Sequence, residues 1–451
     1  MGQANSAESA SNCFCGNDSA FDVDQEVVDR VRLAREFAQR SEEDAVKYVS
    51  QGSNNDRISP TVIYEDQRRR RLSVSAQGGV APTAVVIDAL ADDSPISAQG
   101  LTGVFNKQNL GSKRAVSLCS KTETAGGRRA SFKEKDGEVT CPPGQDDETS
   151  VQWLSELGLA WACKKGMKPD SPNQDSFSIL AVEDTFILIG VYDGHGPRGH
   201  DVSQFARVNM VRNFLAHPAR LADPEAALLA AFSECQEQII RSLPRTTCGD
   251  SGTTCTMAYL DLAKKRLTVA HVGDARAAFC KQRRAGGRCE TEDLTIDHKP
   301  DLEVERRRIE SANPPGRVIF DGYVNYRVFA QNGMYPGLNM SRALGDVIAH
   351  EQAGLTAVPD VRTVDLGQAF EGGMYSEVLL VVCTDGVWEF IESQQVAEMA
   401  LEAVSIGGPN ASVNRLATEA WDQWMTDSHG EVCDDITAVC LRLPVQQSPG
   451  K

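Results

Sequence analysis

Phe186-Ile187-Leu188-Ile189-Gly190-Val191-Tyr192 runs directly into Asp193-Gly194-His195-Gly196. The near-continuous apolar run reads as a strand buried on both faces. It ends by presenting a carboxylate, a bare glycine and the first histidine of the chain. Working outward, the same texture of short apolar runs and amphipathic stretches extends from Val151 onward. Leu159–Cys163, Thr253–Leu260, Arg266–Val272 and Arg276–Cys280 read as strands, and Val202–Ala216 and Pro224–Leu243 as helices. Val378-Leu379-Leu380-Val381-Val382-Cys383 is a second buried-strand pattern, and it too runs into an acid and a glycine, Thr384-Asp385-Gly386. A third acidic pair, Asp434-Asp435, precedes the strand-like Ile436–Leu441.

Carboxylates at strand ends can converge on one site although far apart in sequence. Oxygen-only ligands select hard cations, Mg²⁺ or Mn²⁺. Two such ions about 3.5–4 Å apart activate a water nucleophile and neutralise charge on a phosphoryl group. A glycine beside Asp193 lets its carbonyl approach a metal closely, and His195 could protonate a leaving oxygen. Each element alone is weak, because Asp-Gly also marks ordinary turns.

The 451 residues carry 46 Lys and Arg against 63 Asp and Glu, a net charge of −17, and 41 % of them are hydrophobic. The stretch 149–451 holds 28 of the basic and 40 of the acidic side chains, which argues against a nucleic-acid-binding surface and suits a divalent-cation site. The 13 cysteines show no paired zinc-like spacing, and no apolar-cored signal opens the chain, so we expect a reduced, intracellular protein. No run approaches the roughly 18 to 20 apolar residues of a membrane span.

Met1-Gly2-Gln3-Ala4-Asn5-Ser6 matches the N-myristoylation pattern, with Gly2 as acceptor. One acyl chain binds membranes only marginally, so Cys13 and Cys15 are read as a second, palmitoylation signal. We expect an acylated tail over 1–20, a helical segment over 21–51, a mostly disordered linker over 52–148, a catalytic domain over 149–445 and a tail over 446–451. The linker is rich in Ser, Gly, Asn, Gln, Arg and Pro and cannot offset the entropy of ordering. Within it Arg68–Arg71 and Arg128-Arg129 precede Ser73 and Ser131 in the pattern basophilic kinases favour; solvated charge, or for the first run nuclear import or attraction to anionic lipid, are the alternatives.

In their order and residues these motifs resemble the metal-dependent protein phosphatases of type 2C, the PPM family of serine/threonine phosphatases. The resemblance spans roughly 155–444 and rests on Pro172-Asn173-Gln174-Asp175, Val191–Gly196, Asp250-Ser251-Gly252-Thr253-Thr254, His271-Val272-Gly273-Asp274-Ala275-Arg276, Leu294–Pro300, Met340–Asp346, Cys383–Glu389 and Asp434-Asp435-Ile436-Thr437. It implies an α+β fold, a four-layer α-β-β-α sandwich of two antiparallel sheets flanked by helices, with the metals at one end. It implies that Asp193 bridges two Mg²⁺ or Mn²⁺ ions and that Gly194 supplies a carbonyl. By the same resemblance Asp385 and Asp434 complete the site, Asp175 acts through water, and His195 is the general acid. Asp274 and Glu389 fall at a weaker third-metal position, where the family often has Asp in place of Glu389. Two further departures matter: Asp435 stands where the family usually has Asn, and the phosphate-binding Arg is absent, leaving Lys165 or Lys168 to substitute as a point charge. Asp297-His298-Lys299-Pro300 and Ser341–Asp346 are expected to fix the flap 301–339 between them, without touching the chemistry. Cys248, Cys255 and Cys383 are expected to be small core residues.

The function so implied is metal-dependent hydrolysis of phosphoserine and phosphothreonine in phosphoprotein substrates by a monomer. The acylated tail is expected to place it on the cytoplasmic face of a membrane, the plasma membrane first, with a soluble cytosolic pool beside it and the nucleus disfavoured. The rival is a non-catalytic, membrane-tethered binding module, which loss of a metal aspartate would favour; none is lost.

Overall fold

The computed structural model describes residues 113–443 apart from 122–131, 136, 141–146, 169–170, 285–286 and 371–372. The expectations for Gly2, Cys13, Cys15, Ser73, Ser131 and the 21–51 helix fall outside the described residues. Two antiparallel sheets form the frame. The larger, seven-stranded, has the spatial order Asp360–Asp365, Arg266–Val272, Cys255–Asp261, Phe186–Tyr192, Ser176–Val182, Ala115–Ser120 and Gly137–Thr140. The second, five-stranded, runs Cys289–Asp293, Arg276–Arg283, Tyr375–Cys383, Ile436–Arg442 and Leu159–Lys164.

Three apolar layers separate four structural ones, as the α-β-β-α expectation requires. Ile187, Ile189 and Val191 turn inward to a core shared by both sheets. Their neighbours Leu188 and Tyr192 turn outward, beneath the helices Gly199–Ala216 and Pro224–Ser242. That is why the run shows no alternation: each successive side chain enters a different, equally dry layer. The outer face of the second sheet packs Cys280, Val381, Cys383 and Cys440 against Val396, Leu416 and Trp424 of the long helix Ser393–Asp427, which is interrupted at Gly407 and Gly408. Cys248, Cys255 and Cys383 are buried in these cores, as expected.

The 52–148 linker needs correction. Within it Ala115–Ser120 pairs with Ser176–Val182 on one side and Gly137–Thr140 on the other, and Val116 and Leu118 enter the central core. A helix begins at Asp147, ahead of the expected boundary at 149. These short strands, Ala-Val-Ser-Leu-Cys-Ser and Gly-Glu-Val-Thr, are hidden because they are brief and the sequence around them is mostly polar. The flap exists as expected: the helix Glu303–Glu310 and a three-stranded sheet of Gly316–Phe320, Tyr326–Ala330 and Pro336–Leu338.

Candidate active site

Register carries the carboxylates to one end. Ser176 pairs with Tyr192, so Asp175 and Asp193, the next residues outward on antiparallel strands, leave the large sheet at the same edge. In the second sheet Cys383 pairs with Ala438, so Asp385 and the Asp434-Asp435 pair emerge together. Asp193 is pinned through its backbone: its N–H donates to the Thr254 hydroxyl at 3.1 Å and its carbonyl accepts from the Thr254 N–H at 2.8 Å. At Gly194 a Cβ would meet the carbonyl oxygens of Gly199 and Gln174 at 2.5 and 2.6 Å, so only glycine fits beside Asp193.

The crowding is electrostatic as well as spatial. Burial, then the Asp385 carboxylate, with Asp175, Asp434 and Asp274 behind it, push Asp193 well above the usual carboxylate range. Burial and Asp274 do the same to Asp385, which also shares a hydrogen bond with Asp193. Burial and the Asp435 charge push Asp175 up to about 7. Asp175 Oδ2 accepts from the hydroxyls of Thr384 at 3.0 Å and Thr437 at 2.7 Å, whereas the buried oxygens Asp175 Oδ1 and Asp274 Oδ1 have no hydrogen-bond partner among the described residues. Orphaned carboxylate oxygens in a repelling, oxygen-only group fit divalent cations of the Mg²⁺ class.

Among the described residues no three such side chains form a ready-made metal cage. Two ammonium groups stand among them instead. Lys168 Nζ donates to Asp434 Oδ1 at 2.6 Å, and Lys299 Nζ donates to Asp274. Burial alone would lower both lysines, but the surrounding carboxylates hold them above the ordinary range. Of the two candidate phosphate lysines, then, Lys168 reaches the acidic group, while Lys165 Nζ donates to the Lys168 carbonyl at 2.7 Å. Glu389 lies one helical turn beyond Asp385, its N–H bonded to the Asp385 carbonyl at 2.8 Å.

Asp435 explains its own departure from the family pattern. Its two oxygens accept from the N–H groups of Gly166 at 2.7 Å and Gln174 at 2.8 Å. It thereby ties the turn before Lys168 to the turn carrying Asp175. An asparagine has a single acceptor oxygen and could satisfy only one.

His195 is 4 % exposed, with Nε2 2.6 Å from Asp346 Oδ2. Burial works to lower its pKa, but the Asp346 carboxylate outweighs burial and the net shift is upward. Here the expectation that Ser341–Asp346 and Asp297–Pro300 only frame the flap is corrected, since Asp346 reaches His195 and Lys299 reaches Asp274. Arg276 adds a two-pronged pair to Asp297, at 2.9 and 2.8 Å, and lies over the Trp388 ring at 5.0 Å, joining three of the motifs. Asp346 is the residue that sequence reasoning missed. Its only signal was an acid after a glycine in a motif assigned to the flap.

The protein phosphatase 2C family model matches residues 163–429. Probable protein phosphatase 2C 35 of Arabidopsis thaliana is 29 % identical over 306 residues, covering 62 % of this chain and 82 % of its own length. Probable protein phosphatase 2C 59 of the same plant is 30 % identical over 309 residues, covering 68 % and 86 %. Among solved structures, the serine-threonine phosphatase 2C of Toxoplasma gondii has a TM-score of 0.54 at 21 % identity, over 63 % of this chain and 94 % of that one, a likeness of fold.

Proposed function

The chain belongs to the protein phosphatase 2C family and is a protein serine/threonine phosphatase, and from that premise we propose that phosphoserine and phosphothreonine are hydrolysed at the Asp193–Asp385–Asp434 end of the sheets. Two Mg²⁺ or Mn²⁺ ions would be held there by Asp193, the Gly194 carbonyl, Asp385 and Asp434, with Asp175 acting through water; Asp274 and Glu389 would serve a weaker third. The observation that carries this is the convergence of Asp175, Asp193, Asp385 and Asp434 at one end of the two sheets, where the buried oxygens Asp175 Oδ1 and Asp274 Oδ1 have no hydrogen-bond partner among the described residues. When bound, such ions lower the pKa of water toward 7 and neutralise charge on a phosphoryl group. Lys168 supplies a further positive charge for a phosphoryl oxygen. His195, held by Asp346, donates the proton to the departing serine or threonine oxygen. Titration calorimetry with Mn²⁺ tests the assignment. Two ions per chain are expected for the native protein, with binding weakened in Asp193→Asn and Asp385→Asn; unchanged isotherms in both variants would dispose of it.

Substrates are phosphoproteins, and the enzyme acts as a monomer on the cytoplasmic face of a membrane, anchored through Gly2 and through Cys13 and Cys15. Ser73 and Ser131 are phosphorylation sites beside the arginine runs, where added negative charge weakens attraction to an anionic surface. The N-terminal pattern supports the anchor. Gly2→Ala should move the protein to the soluble fraction, and unchanged partitioning would refute the proposal.

A further inference from the structure

We propose that Lys135, which precedes the family-matched stretch 163–429, is a positioning residue of the phosphatase site, holding the turn that delivers Asp175. The inference rests on the assignment of Asp175 to the metal site.

The segment Phe132–Lys135 lies along the edge strand Leu159–Lys164 as a short antiparallel addition, bridged at Glu134 and Lys164. The Phe132 N–H donates to the Lys165 carbonyl at 2.7 Å, the Lys165 N–H to the Lys133 carbonyl at 3.0 Å, and the Lys135 N–H to the Cys163 carbonyl at 2.7 Å. Glu134 accepts from the Cys163 N–H at 2.8 Å and pairs with the Lys164 ammonium. The Phe132 ring packs on Trp421 of the long helix, centroids 4.7 Å apart. Lys135 is therefore fixed in register on the sheet that carries Asp434.

From that anchor its side chain runs inward and is 2 % exposed. The ammonium donates to the Asn173 carbonyl at 3.2 Å, to the Asp175 carbonyl, and to the Ser176 hydroxyl at 3.5 Å. An ammonium has three protons and no acceptor, and these three contacts fall on the single stretch Asn173–Ser176. Buried carbonyls need donors, and the Lys135 ammonium supplies one to Asn173 and one to Asp175. The opposite side of that stretch is held by Asp435 at the Gln174 N–H and by the Ser203 hydroxyl at the Gln174 carbonyl, 2.5 Å. Lys135 thus closes a clamp that sets where Asp175 Oδ1 points. Filling the same space requires only a chain of similar length; holding the carbonyls requires the charge and its protons.

Lys135→Met keeps the length and removes the donors. In the full chain we expect the half-saturating Mn²⁺ concentration to rise by about tenfold, the scale on which groups behind a metal ligand act. The calorimetric Mn²⁺ dissociation constant should rise equally, and the KM for a phosphothreonine peptide at saturating Mn²⁺ should hold. Lys135→Arg should recover part of the loss. Leu118→Ala, a core truncation in another strand, serves as the stability control: it lowers Tm and leaves the Mn²⁺ midpoint in place. Should Lys135→Met not fold, Lys135→Gln takes its place. A native Mn²⁺ midpoint and dissociation constant in the Lys135 variant would overturn the inference, as would an equal shift in Leu118→Ala. Asp193→Asn separates the two assignments, because Mn²⁺ binding that survives that change refutes the metal site itself and not merely the part played by Lys135.

Discussion

Asp346 adopts a left-handed backbone, φ 42° and ψ 45°, and is 1 % exposed. A non-glycine residue there is uncommon and asks for a reason. The reason is contact: this conformation aims its carboxylate at His195, and Gly252 lacks a side chain where a Cβ would meet Asp346 Oδ2. The carboxylate fixes the imidazole ring and favours its protonated form. Asp346→Asn should therefore slow hydrolysis of phosphoserine peptides by about a hundredfold, the lower end of general acid catalysis. Hydrolysis of p-nitrophenyl phosphate, whose phenolate leaves without a proton, should change little. Equal losses on both substrates would mean that Asp346 has no part in leaving-group protonation. His195 was legible because it follows Asp193-Gly194 directly. Its partner was not, because the contact joins residues 151 positions apart through one unusual backbone conformation.

At the scale of elements, the segment 113–140 tests how composition misleads. Ala115–Ser120 is buried along its whole length, yet it is six residues long and is followed by an arginine- and glycine-containing stretch that dominates any averaged window. By contrast Phe186–Tyr192 was readable, because a run buried on both faces needs no alternation to stand out. Leu118→Ala should cost about 3 kcal/mol of unfolding free energy, the cost of emptying a core leucine site. Denaturant titration checks this, and a linker position would show no change. A second element-scale device concerns pH. His271 stacks on His298 with centroids 4.3 Å apart and donates from Nε2 to the Ile296 carbonyl at 2.9 Å. Burial, and then the neighbouring His298, pull His271 down to about 4 from 6.5. Between those values the unfolded chain binds the proton and the folded one does not, so this residue's contribution is complete above about pH 6.5 and is lost as pH falls toward 4. Tm measured against pH should fall less steeply across that window in His271→Gln. An unchanged slope would contradict the assignment.

For the whole molecule, two sheets stacked through one core bring four strand ends to a single edge. The acids that follow or precede those ends, Asp175, Asp193, Asp385 and Asp434, come from three widely separated parts of the chain. Their meeting was legible as an ordered set of motifs. Lys168 was legible only as one of a pair with Lys165, and Lys299 only as part of a motif framing the flap, because nothing in their spacing specifies a side-chain direction. The role of Asp435 was not legible, because its two oxygens join backbones more than 260 positions away. The long acidic stretch 149–451 and the buried carboxylates at its centre agree on one chemistry, attraction of divalent cations. The most direct measurement of that chemistry is release of phosphate from a phosphothreonine peptide by the native chain, Asp193→Asn and Asp385→Asn, with EDTA and after readdition of Mn²⁺. Turnover abolished by EDTA, restored by Mn²⁺ and reduced about a thousandfold in each variant is the predicted result. Turnover indifferent to EDTA, or retained in both variants, would contradict it.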